Sequence, residues 1–195
     1  MAGRRAAAGL ALAVLALTAA GCGLGGSTKT VTTTQTRTVT TTRTVTRQSG
    51  PATPCTAVQL SGTFAAVAGS AGAGQVVYLL TLKNTSPSRC YVFGLPQAQL
   101  LSSTGANLPT HIVAAGSGSS GKQVVLAPGD SAVTQGRFSP SVAGQGDAQS
   151  GPCQPKASTL QVTPDGGGAV NAPVQPPTSV CERGTIYFDD FAAAT

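Results

Sequence analysis

QVVYLLTLKNTSPSRCYVFGLPQAQLL, residues 75–101, is the stretch whose reading decides the fold. Tyr78, Leu80 and Leu82 fall on one face by a period of two, with Val77, Leu79 and Thr81 on the other. Both faces are apolar enough for a strand with neighbours on each side. Asn84 to Ser88 supplies a turn, and Pro87 blocks continued pairing. Residues 90–93 resume an apolar run directly after Cys90, and Gly94-Leu95-Pro96 bends the chain before residues 98–101. The pattern predicts the central hairpin of a disulfide-pinned β-sandwich.

Working outward, a first strand is predicted over residues 60–67, ended by the Gly-rich turn at 69–74. Later strands are predicted at 111–114, 123–126, 132–138, 160–163 and 185–188, with Ala127-Pro128-Gly129-Asp130 as a tight turn between two of them. Seven or eight short strands with no helical period indicate an all-β domain, an immunoglobulin-like antiparallel β-sandwich over residues 55–191.

Composition places the core in the same region. Phe64, Tyr78, Tyr91, Phe93, Phe138, Tyr187, Phe188 and Phe191 are all the aromatic residues of the chain, and every one lies beyond residue 60. Gly (25) and Pro (13) together stay below the share of about 25–30% that marks low complexity throughout a chain.

The first residues read as an address. Residues 1–21 begin with Arg4 and Arg5, run through apolar and small residues from Ala6 to Leu17, and end in small residues before Cys22. This is the layout of an export signal, too short to remain as a membrane span. Ala19-Ala20-Gly21-Cys22 resembles the bacterial lipobox, with Ala19 where Leu is common. Cleavage there would leave Cys22 to carry diacylglycerol, and two or more acyl chains anchor a protein stably where one does not. The expected location is the outer face of the cytoplasmic membrane, within the cell envelope.

Residues 22–54 follow as a linker of Thr, Val, Arg, Gln, Gly and Ser, with a quasi-repeat of Thr-Val-Thr-Thr-Thr. Large apolar groups are too few to offset chain entropy, so a disordered Thr-rich stalk is expected. Fully extended at about 3.3 Å per residue, its residues 23–50 would reach roughly 90 Å. An edge strand is the competing reading, because Thr and Val favour strands.

The net charge of +6 suggests a nucleic-acid partner until it is located. Arg4, Arg5, Lys29, Arg37, Arg43 and Arg47 carry the whole excess. From Pro51 onward Lys83, Arg89, Lys122, Arg137, Lys156 and Arg183 are balanced by Asp130, Asp147, Asp165, Glu182, Asp189 and Asp190. A neutral domain is no phosphate-binding surface, and nucleic acid is rejected as its partner.

With Cys22 assigned to lipid, Cys55, Cys90, Cys153 and Cys181 remain, an even number in an exported protein. Three connectivities are open. Cys55 with Cys90 and Cys153 with Cys181 is the favoured pairing, each closing a loop of about 30–36 residues and contributing roughly 3.5–4 kcal/mol on the chain-entropy account. Metal ligation is disfavoured by the lack of a C-x-x-C pair and by the single His111.

The order of lipobox, Thr-rich stalk, Cys55, Tyr78-Leu79-Leu80-Thr81-Leu82-Lys83-Asn84-Thr85-Ser86, Cys90, Gly94-Leu95-Pro96, Leu126-Ala127-Pro128-Gly129, Cys153 and Cys181 resembles the actinobacterial envelope proteins catalogued as domain of unknown function 4232. The likeness runs from about Cys55 to Phe188, and Leu95 stands where an aromatic is common. The resemblance implies an exported, often lipidated β-domain with no assigned reaction and no catalytic residues to carry over.

Chemistry in the residues themselves is sparse. An enzyme would have to use His111, Asp130 and one of many serines, and the Gly-Ser run at 116–121 does not form G-x-S-x-G. Asp189 and Asp190 are adjacent, so in a strand they point to opposite faces. A soft-metal carrier needs Met, His and free Cys, a set the chain after residue 21 lacks. The Gly-rich loops have no phosphate-cradle ending.

These readings predict a lipid-anchored, non-catalytic interaction module with no cofactor, facing an envelope protein or a cell-wall component. A hydrolase with an unconventional site and a carrier of a small apolar ligand between the sheets are the alternatives. Function is expected in the loops at 102–122 and 139–156, since loops carry most sites.

Overall fold

The computed structural model describes residues 51–116 and 118–195. The signal segment, Cys22 and the stalk up to residue 50 lie outside the described residues.

Twelve strands follow in chain order: β1 (Thr53–Pro54), β2 (Leu60–Ala66), β3 (Val76–Asn84), β4 (Cys90–Phe93), β5 (Gln97–Leu101) and β6 (His111–Ala114), then β7 (Gln123–Leu126), β8 (Ser131–Phe138), β9 (Ala157–Thr163), β10 (Val170–Thr178), β11 (Thr185–Phe188) and β12 (Ala192–Ala193). A small sheet has the order β1-β4-β7. A large sheet has the order β5-β9-β10-β2-β3-β8-β11-β6, with β12 beside β8. The large sheet curls toward a barrel and the small one closes the sandwich, so the all-β expectation holds.

The alternation that predicted β3 is the one that buries it. Tyr78, Leu80 and Leu82 are buried while Val77, Leu79 and Thr81 are only half-buried. As expected of a central strand, β3 pairs along its length with both β2 and β8. Residues from both sheets form one core: Phe64, Leu80, Leu82, Leu160, Ile186 and Phe188 from the large sheet, Val92, Val124 and Leu126 from the small one. Burying one such side chain contributes about 1.5–3 kcal/mol. Phe64 is the hub of the aromatic part, with ring centroids 5.1 Å from Tyr78, 5.9 Å from Phe188 and 6.3 Å from Phe138. Gly136 makes room for that cluster, because a Cβ there would sit 2.7 Å from the Phe188 ring.

The predicted hairpin is corrected. β3 and β4 do not pair: β3 belongs to the large sheet, and β4 lies between β1 and β7 in the small one. The segment between them is a crossover, and two features draw it across. Cys55 bonds to Cys90, with both sulfurs buried. Asn84 is fully buried at the end of β3 and ties the turn internally. Its side-chain N–H groups donate to the carbonyls of Ser88 (2.8 Å) and Leu126 (3.1 Å), and its Oδ1 accepts from the backbone N–H and the hydroxyl of Ser86 (3.0 and 2.8 Å).

The sheets are also not purely antiparallel. β1 runs parallel to β4, β2 to β10, and β6 to β11. Strand β10 was not expected, because Pro173, Pro176 and Pro177 remove ladder donors. The prolines are accommodated where the ladder changes hands. Pairing with β9 is continuous only as far as Pro173, and pairing with β2 begins at Val174. Beneath the prolines the period-two burial of Val170, Ala172 and Val174 is intact.

The second disulfide joins Cys153 to Cys181, so both bonds match the favoured pairing.

Candidate functional site

Period-two alternation on four neighbouring strands builds one surface. Inward-facing Tyr78, Gly136 and Phe188 put the residues next to them outward: Val77 opposite Arg137, Arg137 opposite Tyr187, and Tyr187 opposite Val113. The next row carries Gln135, whose carbonyl accepts the Asp189 N–H at 3.2 Å. A cleft of about 280 Å³ lies over these rows, with Val77, Gln135, Arg137, Tyr187 and Asp189 in its lining and Gln75, Ala115 and Gly116 at its margin.

The polar side chains of this cleft are exposed. Among the described residues, the side chains of Gln75, Gln135, Arg137, Tyr187 and Asp189 make no hydrogen bond and no ion pair. Asp130, Asp190 and Asp147, outside the cleft, are engaged. Asp130 Oδ2 accepts the Ala127 N–H at 3.0 Å and closes the tight turn. Asp190 accepts from the Ser119 hydroxyl and from the Ser120 hydroxyl and N–H at 2.5 and 2.6 Å, pinning the Gly-rich loop. The hydrogen bond from Ser119, followed by those from Ser120, holds its carboxyl below the usual range against the opposing effect of burial.

Asp147 is the most heavily engaged. It is buried, and its oxygens accept from the N–H groups of Gly144 (2.8 Å), Glu182 (2.5 Å) and Arg183 (2.8 Å) and from the Gln154 amide (2.9 Å). Glu182 and Arg183 both have left-handed backbones, φ 54° and 57°, a conformation that costs ordinary residues free energy. Burial pushes the Asp147 carboxyl up, but the four hydrogen bonds together outweigh it and lower the pKa to about 2. Asp147, Cys153 and Cys181 bring their ligand atoms within 4.8 Å of one another. The two sulfurs are bonded to each other and the carboxylate is filled with donors, so the chemistry of this trio is that of a clamp.

The residues weighed for catalysis are not brought together. His111 opens β6 opposite Thr185, at the end of β8 that carries Phe138. Asp130 precedes Ser131 at the other end of that strand. About nine residues at roughly 3.4 Å each separate their levels, on the order of 30 Å. Asp189 and Asp190, just past the end of β11, meet different surroundings: Asp189 lines the cleft and Asp190 is bonded to Ser119 and Ser120. Tyr78 is core, its hydroxyl donating to the Pro176 carbonyl at 2.9 Å, and burial raises its pKa.

Of the two loops expected to carry function, the first contributes only Ala115 and Gly116 to the cleft, and the second is locked by Asp147 and Cys153. Arg137, Tyr187, Gln135 and Gln75 were not singled out in the sequence. The signal available was Gln135-Gly136-Arg137, with polar residues at both outward positions flanking an inward glycine. A second crevice, where Leu82, Val92, Val162 and Phe191 meet between the sheets, holds about 10 Å³, no more than a single water.

No curated protein and no solved structure matches the chain. The family model described as a domain of unknown function (DUF4232) matches residues 55–190. The chain belongs to that family.

Proposed function

We propose that this protein is a non-catalytic binding module, tethered through lipid on Cys22 to the outer face of the cytoplasmic membrane, that holds an envelope partner in the cleft over Arg137 and Tyr187. The observation that carries the reading is the convergence of five exposed polar side chains on one cleft, none of them bonded to another described residue. Strands position such groups more rigidly than loops do, which limits the entropy lost on binding.

The alternatives fit less well. A hydrolase needs a nucleophile and a base within hydrogen-bond reach, and His111 and Asp130 stand at opposite ends of the sheet. A carrier of an apolar ligand needs space between the sheets, and the inter-sheet crevice holds about 10 Å³.

The test is a photo-crosslinking residue at Gln135 in the native envelope, with Asn171 as an exposed control position on β10. Capture from Gln135 that is absent from Asn171 and lost with Tyr187→Ala and Arg137→Ala is expected. Equal capture from both positions, or turnover of an ester, peptide or glycan substrate that His111→Ala abolishes, overturns the reading.

A further inference from the structure

We infer that the ligand of the cleft is a neutral, polyhydroxylated ring, a saccharide unit, stacked on Tyr187 and hydrogen-bonded by Arg137, Asp189, Gln135 and Gln75. The inference rests on the reading of this cleft as the binding site and names what it would bind.

Charge decides between ligand classes. Arg137 and Asp189 line one cleft without forming an ion pair. An anion gains from the guanidinium and is opposed by the carboxylate, and a cation meets the reverse. A neutral ligand is opposed by neither and can hydrogen-bond to both.

The donor and acceptor inventory points the same way. A guanidinium offers only donors and a carboxylate only acceptors, while an amide and a phenol offer both. Sugar hydroxyls also donate and accept, and a vicinal pair of them matches the two-pronged geometry of a guanidinium or carboxylate. One face of a pyranose ring carries C–H groups, which need an apolar platform. Tyr187 is 36% exposed, between Arg137 on one side and Val113, itself 39% exposed, on the other, so its ring lies open on the sheet face as that platform.

Size limits the fit to about one ring. The cleft's 280 Å³ lies just under the range of about 300–1,000 Å³ usual for small-molecule pockets. An extended peptide is the competing occupant, because β6 is the outer strand of the large sheet. It would bind through the backbone of His111–Ala114 and leave the charged pair of the cleft without a role.

The full-length protein in phosphocholine micelles is titrated by NMR with neutral gluco-, manno- and N-acetylglucosamine tetrasaccharides, a tetragalacturonate, a fully deacetylated chitosan tetramer and a neutral Thr-Ser-Ala peptide. A neutral saccharide is expected to shift the amides of Gln135, Arg137 and Tyr187. Its affinity is expected to fall about tenfold or more in Tyr187→Ala, Arg137→Gln and Asp189→Asn, each with an unchanged melting temperature. Tetragalacturonate binding that weakens in Arg137→Gln and strengthens in Asp189→Asn overturns the inference, as does the mirror-image result with the chitosan tetramer. Peptide shifts centred on residues 111–114 overturn it as well. Silence from every probe also overturns it, and crosslinking at Gln135 then shows separately whether the cleft holds another kind of partner.

Discussion

The side chain of Asn84, at the end of β3, donates a buried hydrogen bond of 3.1 Å to the carbonyl of Leu126, at the end of β7. This joins the large sheet to the small one at the point where the chain crosses between them. The same residue's backbone is held too, its N–H donating to the Asp130 carbonyl and its carbonyl accepting from Gly129 N–H. Asn84→Ala takes the amide from the Leu126 carbonyl and the acceptor from the Ser86 N–H, while the Ser88 carbonyl keeps only the Ser86 hydroxyl. Each orphaned buried group costs about 1–3 kcal/mol. The expected loss is about 3 kcal/mol in urea unfolding, and Asn84→Asp, which removes both donors and buries a charge, is expected to be at least as damaging.

The Asp147 clamp makes stability depend on acid. Its folded pKa lies at about 2, below the ordinary value of 3.8. A depressed carboxyl stabilises the fold fully above the unfolded value, and that contribution is lost as pH falls from about 4 through 2. Asp190, also lowered, acts in the same direction. Urea midpoints measured from pH 6 down to pH 2 should therefore fall less steeply in Asp147→Asn than in the parent. At neutral pH the same variant should be less stable by about 1–3 kcal/mol, since its amide nitrogen replaces one of the two oxygens and cannot accept from that oxygen's donors, Gly144 and Glu182 or Gln154 and Arg183. Parallel curves for the two proteins would refute the clamp.

The two disulfides close sequence separations of 35 and 28 residues. On the chain-entropy account each contributes about 3.5–4 kcal/mol. Non-reducing peptide mapping should recover Cys55 linked to Cys90 and Cys153 linked to Cys181. Cys153→Ser with Cys181→Ser should lower the unfolding free energy by roughly that amount and speed proteolysis within residues 139–156. A Cys55–Cys181 peptide would contradict the fold.

Lipidation at Cys22 is testable by fractionation. Cys22→Ser should move the protein from the membrane to the soluble fraction and remove the mass of the acyl chains from the intact protein. Persistent membrane association of that variant would refute the anchor.

Much of the strand pattern was legible because alternation is local. The bounds of β4, β6, β7 and β11 follow from runs such as Cys90-Tyr91-Val92-Phe93 and Thr185-Ile186-Tyr187-Phe188, where flanking turn residues leave no freedom. Strand β10 was hidden by its prolines, whose cost depends on which ladder positions they occupy. The hairpin expectation failed at Asn84 for a related reason. A polar residue after an apolar run signals a turn, but a turn that folds back and one that crosses to another sheet have the same composition.

The sequence by itself determined the class of the fold and the even set of four cysteines in the domain. These depend on alternation, parity and local motifs, each contained in a short window. Only the tertiary structure decided that β3 and β4 part company, that three strand pairs run parallel, and that Gln75, Gln135, Arg137, Tyr187 and Asp189 meet in one cleft. Neighbours across a sheet are set by register between segments far apart in the chain, such as Val113 with Tyr187 and Val77 with Arg137, and register is a property of packing that no single segment contains.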